Sequence, residues 1–457
     1  MLVSWDWLGT ENSVARRTAV SVVRMVDVRN TLRRLKHQDA LARLFAGSAG
    51  VLLIGLLAQM MAFIVVAKAL GIVQFGQLTT ITAVTNLAAT WTGLACGEVM
   101  RRRVSRDKSH YPEALGHCIL TIVVTGVVLS ILVIWGLMAF MPVGNDRMQS
   151  LEILCLLVPT SIVLFGAVGQ AENIFLAHDD FTSANLVNGG FAIARALTAI
   201  CSCGLFGVTT LGDFAMWWLA VHVASLLICI VFVRRFGAPR WVILRNELWL
   251  GSNLAFSAFL TMLRLNLDIL VLNVVSTPQV VGAYGVARRV VGIALIVPGA
   301  FDRVIYGKFA VAGADGPAAT WRLAKGFLVY ATAIGTVTSV VLFILAPYIP
   351  RVVGANFGES TTMVRILCWS VIFSAIQFVA FDALNASEQH GVATIVSGSA
   401  NFAGAAMVGL LGTTLGVGGI YIALYLSDVV RGGALWLALG RQKRRQSKVM
   451  KKAGESS

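Results

Sequence analysis

The sequence predicts an all-α polytopic membrane protein with twelve transmembrane helices in two pseudo-symmetric bundles of six. Hydrophobic residues make up 57% of the 457 residues and charged residues only 13%, and the mean hydropathy is +0.79. A chain this apolar does not have the composition of soluble domains. Apolar runs long enough to cross a bilayer, which takes about 20 helical residues, follow one another along most of the chain. Basic residues gather in alternate loops between these runs.

The first 44 residues precede the apolar region. They contain no apolar run followed by a small-residue cleavage site, so we expect no removable signal peptide and expect the first span to direct insertion. The segment from Ser13 to Lys36 mixes valine and leucine with six arginines. This mixture is typical of a basic amphipathic helix on anionic lipid, and a disordered cytosolic leader is an equal alternative.

Twelve apolar runs fill the rest of the chain, and we predict each to be a membrane-spanning helix because a helix satisfies its own backbone hydrogen bonds in lipid. The predicted spans are 45–67, 77–97, 115–141, 151–176, 184–207, 211–233, 248–275, 281–302, 326–347, 361–386, 391–415 and 418–439.

The positions of Lys and Arg test this count, because these residues in short loops mark the cytoplasmic side. The two ends of the chain and the 2–3, 6–7 and 8–9 loops hold 28 of the 37 basic residues. The outer loops hold only Lys68, Arg147 and Arg351. We therefore predict that both termini are cytoplasmic. The net charge of +15 then needs no nucleic-acid partner, because a nucleic-acid binder gathers its cations on one soluble face.

The seven cysteines lie in or beside apolar runs and form no paired framework, so we interpret them as small apolar side chains. The pair Cys201 and Cys203 has no neighbouring histidine, and the sequence shows no phosphate-binding loop. We therefore predict no metal site, no cofactor and no enzymatic activity.

Short matches at a nearly constant offset indicate a parallel internal repeat. The matched positions are Gly76 with Gly282 and Gly93 with Gly299 at an offset of 206, and Ala177 with Ala386 and Ala184 with Ala393 at an offset of 209. The interface between the two halves is the predicted substrate path.

The repeat and the loop charges give the domain organisation. We predict a basic leader over 1–44, an N-terminal bundle over 45–235, a cytoplasmic linker over 236–247, a C-terminal bundle over 248–440 and a basic cytoplasmic tail over 441–457.

Several motifs at helix ends carry a family resemblance. They are Leu70-Gly71 and Phe75-Gly76 after the first span, Gly93-Leu94 leading to Arg101-Arg102-Arg103, the run Leu267 to Leu272, the run Val281 to Arg288, Phe357-Gly358-Glu359, and Ala383 to Ala386. Together, over about residues 40 to 440, they resemble the polysaccharide-transport (Wzx-type) branch of the multidrug, oligosaccharidyl-lipid and polysaccharide exporter superfamily.

The resemblance implies a flippase of the bacterial inner membrane. Its substrate would be an undecaprenyl-diphosphate-linked oligosaccharide repeat unit for exopolysaccharide, capsule or lipopolysaccharide O-antigen synthesis. A polysaccharide polymerase and a chain-length regulator are the protein partners that the resemblance implies.

Arginines at bilayer depth are the predicted substrate contacts, because an ionisable group there normally faces a cavity or a partner. Four of them are predicted to hold the diphosphate in a cationic central cavity by bidentate guanidinium contacts. They are Arg195, Arg264, Arg288 and Arg431.

Alternatives apply to three of these arginines. Arg264 has Asp268 four residues on, and Arg431 has Asp428 three residues before it, so each forms an ion pair in the structural alternative. Arg288 and Arg289 cannot face the same way. By the resemblance we expect Arg288 to line the cavity, and Arg289 then reaches the outer headgroups.

Coupling to protons or sodium would need a carboxylate that changes protonation or binds the ion. Asp268, Glu98 and Asp382 are the predicted candidates. Asp268 lies deepest, but an Arg264 partner would hold it ionised. Glu98 and Asp382 lie at cytoplasmic helix ends, where carboxylates are usually just solvated.

Other functions are weighed against the flippase prediction. A membrane polymerase or ligase needs a sizeable outer catalytic loop, and the outer loops here are short. A lipid II flippase usually has two further helices, and a multidrug antiporter needs an acidic, aromatic pocket rather than arginines. A scaffold role in polysaccharide assembly is the non-transport alternative.

Overall fold

The structure is a computed structural model that describes residues 55, 57–140, 146–314, 316–387 and 390–455. The predicted leader 1–44 lies outside these residues. Within them the chain is helical and contains no strand. The helices are α1 (Leu57–Ala89) and α2 (Cys96–Arg106), α3 (Tyr111–Phe140), α4 (Arg147–Pro159), α5 (Phe165–Ala177), α6 (Phe181–Ile200), α7 (Leu211–Val233), α8 (Arg245–Val275), α9 (Pro278–Ala294), α10 (Ile296–Ala314), α11 (Pro317–Leu345), α12 (Ile349–Val353), α13 (Glu359–Leu367), α14 (Ser370–Ala386) and α15 (His390–Glu455).

The described residues contain ten helical stretches long and apolar enough to cross a membrane. Two of these contain a glycine with a left-handed backbone, Gly71 in α1 (φ +70°) and Gly416 in α15 (φ +63°). A left-handed residue interrupts a right-handed helix, so each stretch is divided into two helical segments. Gly71 and Gly416 fall in the gaps predicted between spans 1 and 2 and between spans 11 and 12. The predicted all-α fold of twelve membrane helices in two six-helix halves is confirmed.

The second predicted span, 77–97, is not one helix. α1 ends at Ala89, and Gly93, Leu94 and Ala95 all have positive φ before α2 begins at Cys96. The turn is held from outside, because the Gly93 N–H donates to the Thr125 hydroxyl of α3 at 2.8 Å. This bond replaces a helical backbone bond that the sequence pattern predicts.

The internal repeat appears in the helix ends. α5 ends at Ala177 and α14 ends at Ala386, while α6 begins at Phe181 and α15 begins at His390. Both pairs are separated by the same offset of 209 residues on which the sequence matches fall.

We call the end of the bundle that carries the 2–3, 6–7 and 8–9 connections the basic end, and the opposite end the far end. At the far end the repeat-related glycines Gly76 of α1 and Gly282 of α9 touch. A Cβ on Gly76 would lie 2.0 Å from the Pro278 carbonyl oxygen, and one on Gly282 would lie 2.3 Å from the Ile72 carbonyl oxygen. The two halves therefore meet backbone to backbone at the far end.

Side chains extend this far-end contact. The Thr80 hydroxyl donates to the Asn273 side-chain oxygen at 3.2 Å. Phe75 packs edge-on against Phe357, with ring centroids 6.0 Å apart, and both rings belong to a buried apolar cluster that includes Val286. This packing joins residues of both halves into one core.

A second contact between the halves lies at the basic end. Arg103 of α2 forms an ion pair with Glu247 of α8, and Gly251 of α8 packs against the Leu94 carbonyl. The linker before α8 docks on α3, because the Arg240 N–H donates to the Pro112 carbonyl at 2.8 Å. Span 2 and its continuation α2 therefore contact the C-terminal half at both ends.

Loop carboxylates at the basic end are also fixed. Asp180 caps α6, and hydrogen bonds from the backbone N–H and hydroxyl of Ser183, with help from Arg235, lower the pKa of its carboxyl. Asp107 caps the turn before α3, and hydrogen bonds from the hydroxyl and backbone N–H of Ser109 lower its pKa. Both groups stay ionised at neutral pH. The stabilisation that they give is present above their unfolded pKa and is lost as pH falls through the folded value.

Candidate functional site

Arg195 of α6 lies among aromatic rings of the N-terminal half. Its guanidinium carbon is 4.6 Å from the Phe191 ring centre, 5.0 Å from that of Phe165 and 6.0 Å from that of Trp218. Its Nε is buried without a hydrogen-bond partner among the described residues. Ring faces attract a cation, but they do not neutralise it. Arg195 therefore keeps its positive charge and a spare donor.

Arg289 of α9 is a cation of the C-terminal half that contacts the N-terminal half. Its guanidinium lies 5.2 Å from the ring centre of Phe63 in α1, a helix of the N-terminal half. Within the described part of the chain neither arginine forms an ion pair. Arg289 is exposed although it stacks on a ring of the other half. It therefore lies where the two halves face each other.

Arg288, the neighbour of Arg289, is held differently. Its Nε lies 2.9 Å from an Asp268 carboxylate oxygen, and its Nη2 donates to the Leu265 carbonyl at 3.1 Å. The Tyr284 hydroxyl donates to the same Asp268 oxygen at 2.6 Å. Asp268 is fully buried. Arg288 therefore neutralises a carboxylate of the C-terminal core in this structure.

Arg264 of α8 forms an ion pair with Asp428 of α15. Asp428 also accepts hydrogen bonds from Gln377 of α14, at 3.4 Å to its carboxylate and 3.0 Å to its carbonyl. The alternative pair Arg264–Asp268 predicted from the sequence is wrong. Asp268 faces Arg288 of α9, and a partner 164 residues away along the chain takes Arg264 instead.

Arg431 of α15 lies near both members of that pair. Asp428 and Arg264 both act on it electrostatically, but Arg431 forms no ion pair within the described residues. Its Nε is buried and lacks a hydrogen-bond partner there. The alternative pair Arg431–Asp428 is therefore not formed, and Arg431 is a third cation that no carboxylate neutralises by contact.

The three predicted coupling carboxylates lie in three different environments. Asp268 forms an ion pair with Arg288 and accepts a hydrogen bond from the Tyr284 hydroxyl. The Glu98 side chain is 48% exposed and pairs with Arg101 at 2.9 Å, as expected for a solvated helix end. Asp382 of α14 is buried, with 8% of its surface exposed.

Asp382 has a partner that the sequence prediction missed. Its carboxyl group interacts electrostatically with that of Asp302 in α10. One oxygen of Asp302 is buried and has no partner among the described residues. Two ionised carboxylates repel each other, so this placement favours a proton on one of the two groups.

The structure thus divides the predicted arginines into two groups. Arg264 and Arg288 are neutralised in the C-terminal core, whereas Arg195 and Arg431 are not. Arg289, which was expected to reach the headgroups, stacks on Phe63 of the N-terminal half instead. The described residues contain no group of three or more metal-ligating side chains.

The fold is similar to solved transporter structures. An inward-facing multidrug resistance MATE family transporter of the MOP superfamily matches with a TM-score of 0.71 at 14% identity, over 86% of this chain and 96% of that one. A mutant of the Vibrio cholerae MATE transporter VcmN matches with a TM-score of 0.57 at 17% identity, over 89% and 98%. The lipid II flippase MurJ in an inward closed conformation matches with a TM-score of 0.58 at 14% identity, over 86% of each chain.

No family model and no curated protein matches the sequence. The similarity therefore rests on structure, and identities of 14% to 17% speak for the fold and not for a substrate. The chain has the fold of the MATE and MurJ transporters of the MOP superfamily.

Proposed function

We propose that the protein is a flippase that moves polyprenyl-diphosphate-linked oligosaccharide repeat units across the cytoplasmic membrane by alternating access. One observation carries this proposal. Arg195 on the Phe191 ring and Arg289 on the Phe63 ring, one arginine from each half, lie at bilayer depth without a carboxylate partner among the described residues. Keeping a cation uncompensated away from water is costly, on the order of several kcal/mol. An anionic ligand at that point removes the cost.

The chemistry of the pair fits a diphosphate. Guanidinium groups bind phosphate oxygens bidentately, and two of them match the charge of a diphosphate better than that of a single carboxylate. Phe165, Phe191 and Trp218 around Arg195 add apolar faces of the kind on which sugar rings pack. A pocket for cationic drugs would need the opposite charge, so these arginines argue against the multidrug alternative.

The transport cycle follows from the contacts between the halves. The halves are closed at the far end by Gly76 and Gly282, so the substrate enters from the basic end, which we assign to the cytoplasm by its lysines and arginines. Arg195 and Arg289 take the diphosphate while the lipid tail stays in the bilayer. Arg431 lies in the same half as Arg289, and Arg264 and Arg288 join when their carboxylates release them. A polymerase and a chain-length regulator are the proposed partners downstream.

Export of polymer by cells tests this function. In a strain that depends on a plasmid copy, Arg195→Ala and Arg289→Ala should each reduce polymer export roughly tenfold to hundredfold, the loss of one charge-assisted contact. Protein level and synthesis of the lipid-linked repeat unit should stay normal. Arg365→Ala is the matched control, because Arg365 stacks on Phe343 and is not one of the proposed substrate contacts. Wild-type export from both test variants would refute the assignment.

We also propose that Asp382, together with Asp302, couples transport to protons. The pair consists of the buried Asp382 and the half-buried Asp302, and a proton on one of the two carboxyl groups keeps them from repelling each other. It joins α10 to α14, so loss of that proton makes two like charges repel at a contact between helices. A change in packing within the C-terminal half is the expected result.

Transport in proteoliposomes with an imposed proton gradient checks this coupling. Asp382→Asn and Asp302→Asn should transport at one rate whatever the gradient, whereas the wild-type rate should rise with it. Glu98→Gln is the control, because Glu98 is exposed and paired with Arg101, and it should respond like the wild type. If Asp382→Asn kept the full gradient response, the coupling role would be lost.

A further inference from the structure

The basic end carries two clusters of cations with different surroundings. In the N-terminal half and the linker, five of the nine lysines and arginines at this end are paired with carboxylates, and we call these five the compensated cluster. The pairs are Arg101–Glu98, Arg103–Glu113, Arg103–Glu247, Lys108–Asp179, Arg235–Asp180 and Arg240–Glu113. The charge of these five cations is therefore compensated within the protein.

The C-terminal half lacks this compensation. We call Lys308, Arg322, Lys325, Arg441, Lys443 and Arg444 the Trp321 cluster. Among the residues that the structure describes, Lys308, Arg322, Lys325, Arg441 and Arg444 form no ion pair. All five are exposed.

Aromatic rings place this cluster in space. The ammonium groups of Lys325 and Lys443 lie 5.2 Å and 5.6 Å from the Trp321 ring centre, and that of Lys308 lies 5.5 Å from the Phe327 ring centre. Trp321 also packs against Trp436, with ring centroids 5.8 Å apart. Parts of α10, α11 and α15 at the basic end therefore meet here. Tryptophan is enriched at the membrane–water interface, and lysines beside it hold their charge at headgroup depth.

The apolar surface next to the cluster identifies what covers it. Val304 lies one helical turn deeper than Lys308 and is 70% exposed, and Val329 lies one turn deeper than Lys325 and is 70% exposed. In a membrane, such side chains face acyl chains. A ligand that places an anionic group on the lysines and apolar chains on the valines satisfies both surfaces. A soluble acidic protein satisfies only the first.

We propose that the Trp321 cluster is a binding site for anionic phospholipids in the leaflet at the basic end. The phosphate of the lipid meets Lys308, Lys325 and the arginines, and its acyl chains cover the valines. The site stands apart from Arg195 and Arg289 and does not depend on the proposed transport activity.

Native mass spectrometry of the purified full chain with phosphatidylglycerol or phosphatidylcholine tests this site. The wild type should bind phosphatidylglycerol at least roughly tenfold more tightly, because each cation near a lipid surface contributes about fivefold. The variant Lys308→Gln/Arg322→Gln/Lys325→Gln/Arg441→Gln should lose that preference. Millimolar inorganic phosphate should not displace the lipid, since it lacks acyl chains.

A matched control removes four cations from the compensated cluster. Arg101→Gln/Lys108→Gln/Arg235→Gln/Arg240→Gln should change the preference less than about twofold, because these charges are already neutralised. If the quadruple variant does not fold, the single variant Lys325→Gln tests the site, and its preference for phosphatidylglycerol should fall about fivefold. An unchanged preference in the Trp321 variants, an equal loss in the control, or a wild type with no preference would each overturn the proposal. The last result would favour a soluble acidic partner.

Discussion

Replacing Arg288 by alanine should destabilise the folded protein by about 3–5 kcal/mol, the range seen when one partner of a buried ion pair is removed. Asp268 is fully buried, and Arg288 is its only cationic contact among the described residues. Without Arg288 the carboxylate keeps hydrogen bonds from the Tyr284 hydroxyl and the Ile269 N–H, but its charge is uncompensated. The amount of folded protein extracted from membranes and its melting temperature measure the effect.

Two comparisons separate this prediction from a loss of substrate contact. Arg289→Ala, one residue along, removes a cation with no carboxylate partner among the described residues, so the protein should fold normally and lose transport instead. Arg288→Ala/Asp268→Asn removes the buried charge along with its partner and should recover most of the stability, because Tyr284 still has an acceptor. If Arg288→Ala folded like the wild type, the ion pair would not have the structural role assigned to it.

Substitution of Gly76 by valine should force the halves apart at the far end and abolish export. Even the first side-chain carbon at this position would lie 2.0 Å from the Pro278 carbonyl oxygen, and a backbone atom cannot move aside as a flexible side chain does. Gly282→Val should act in the same way from the other half. For a protein that must close this end during each cycle, both substitutions remove one of its two end states.

Cysteine labelling measures that opening. Thr80 is 2% exposed, so a Thr80→Cys probe in a variant without other cysteines should react slowly with a membrane-impermeant maleimide. The same probe should react at least roughly tenfold faster in Gly76→Val. A shift of about 1.4 kcal/mol in the equilibrium between the closed and open far end is enough for a tenfold rise in the open population. Gly292→Ala is the control on α9, where an added Cβ meets nothing within 4 Å. Unchanged labelling in Gly76→Val would mean that the far end is not a moving contact.

The fold was predictable from the sequence because its causes are local and repeated. Each membrane helix needs its own apolar run, and each loop carries its own charge signal. Gly76 and Gly282 were recognised as equivalent from a shared offset, and in the structure these two positions touch. Symmetry explains this contact, since equivalent residues near a two-fold axis must meet.

The site was less predictable because it depends on which helices are neighbours. The i,i+4 rule favours Arg264 with Asp268, but it contains no information about the helix that packs alongside. In the structure Arg264 pairs with Asp428 of α15, and Asp268 pairs with Arg288 of α9. Adjacent residues on a helix point about 100° apart, so the choice between Arg288 and Arg289 turns on helix rotation, which the motif does not give.

Asp302 was missed for a related reason. The eighth span was predicted to end at residue 302, where a carboxylate is unremarkable. In the structure the helical stretch continues to Gly313, so Asp302 lies inside it and reaches Asp382. No spacing along the chain signals a pair that is 80 residues apart. Two aspartates in spans that contact each other would have been the only clue.

Binding of undecaprenyl diphosphate to the purified protein tests the central claim most directly, because it needs no transport and no sugar. Native mass spectrometry should show tight binding to the wild type and to Arg365→Ala. Binding to Arg195→Ala and to Arg289→Ala should be weaker by roughly tenfold to hundredfold. If the double variant Arg195→Ala/Arg289→Ala bound undecaprenyl diphosphate as tightly as the wild type, the arginine pair between the halves would not be the diphosphate site.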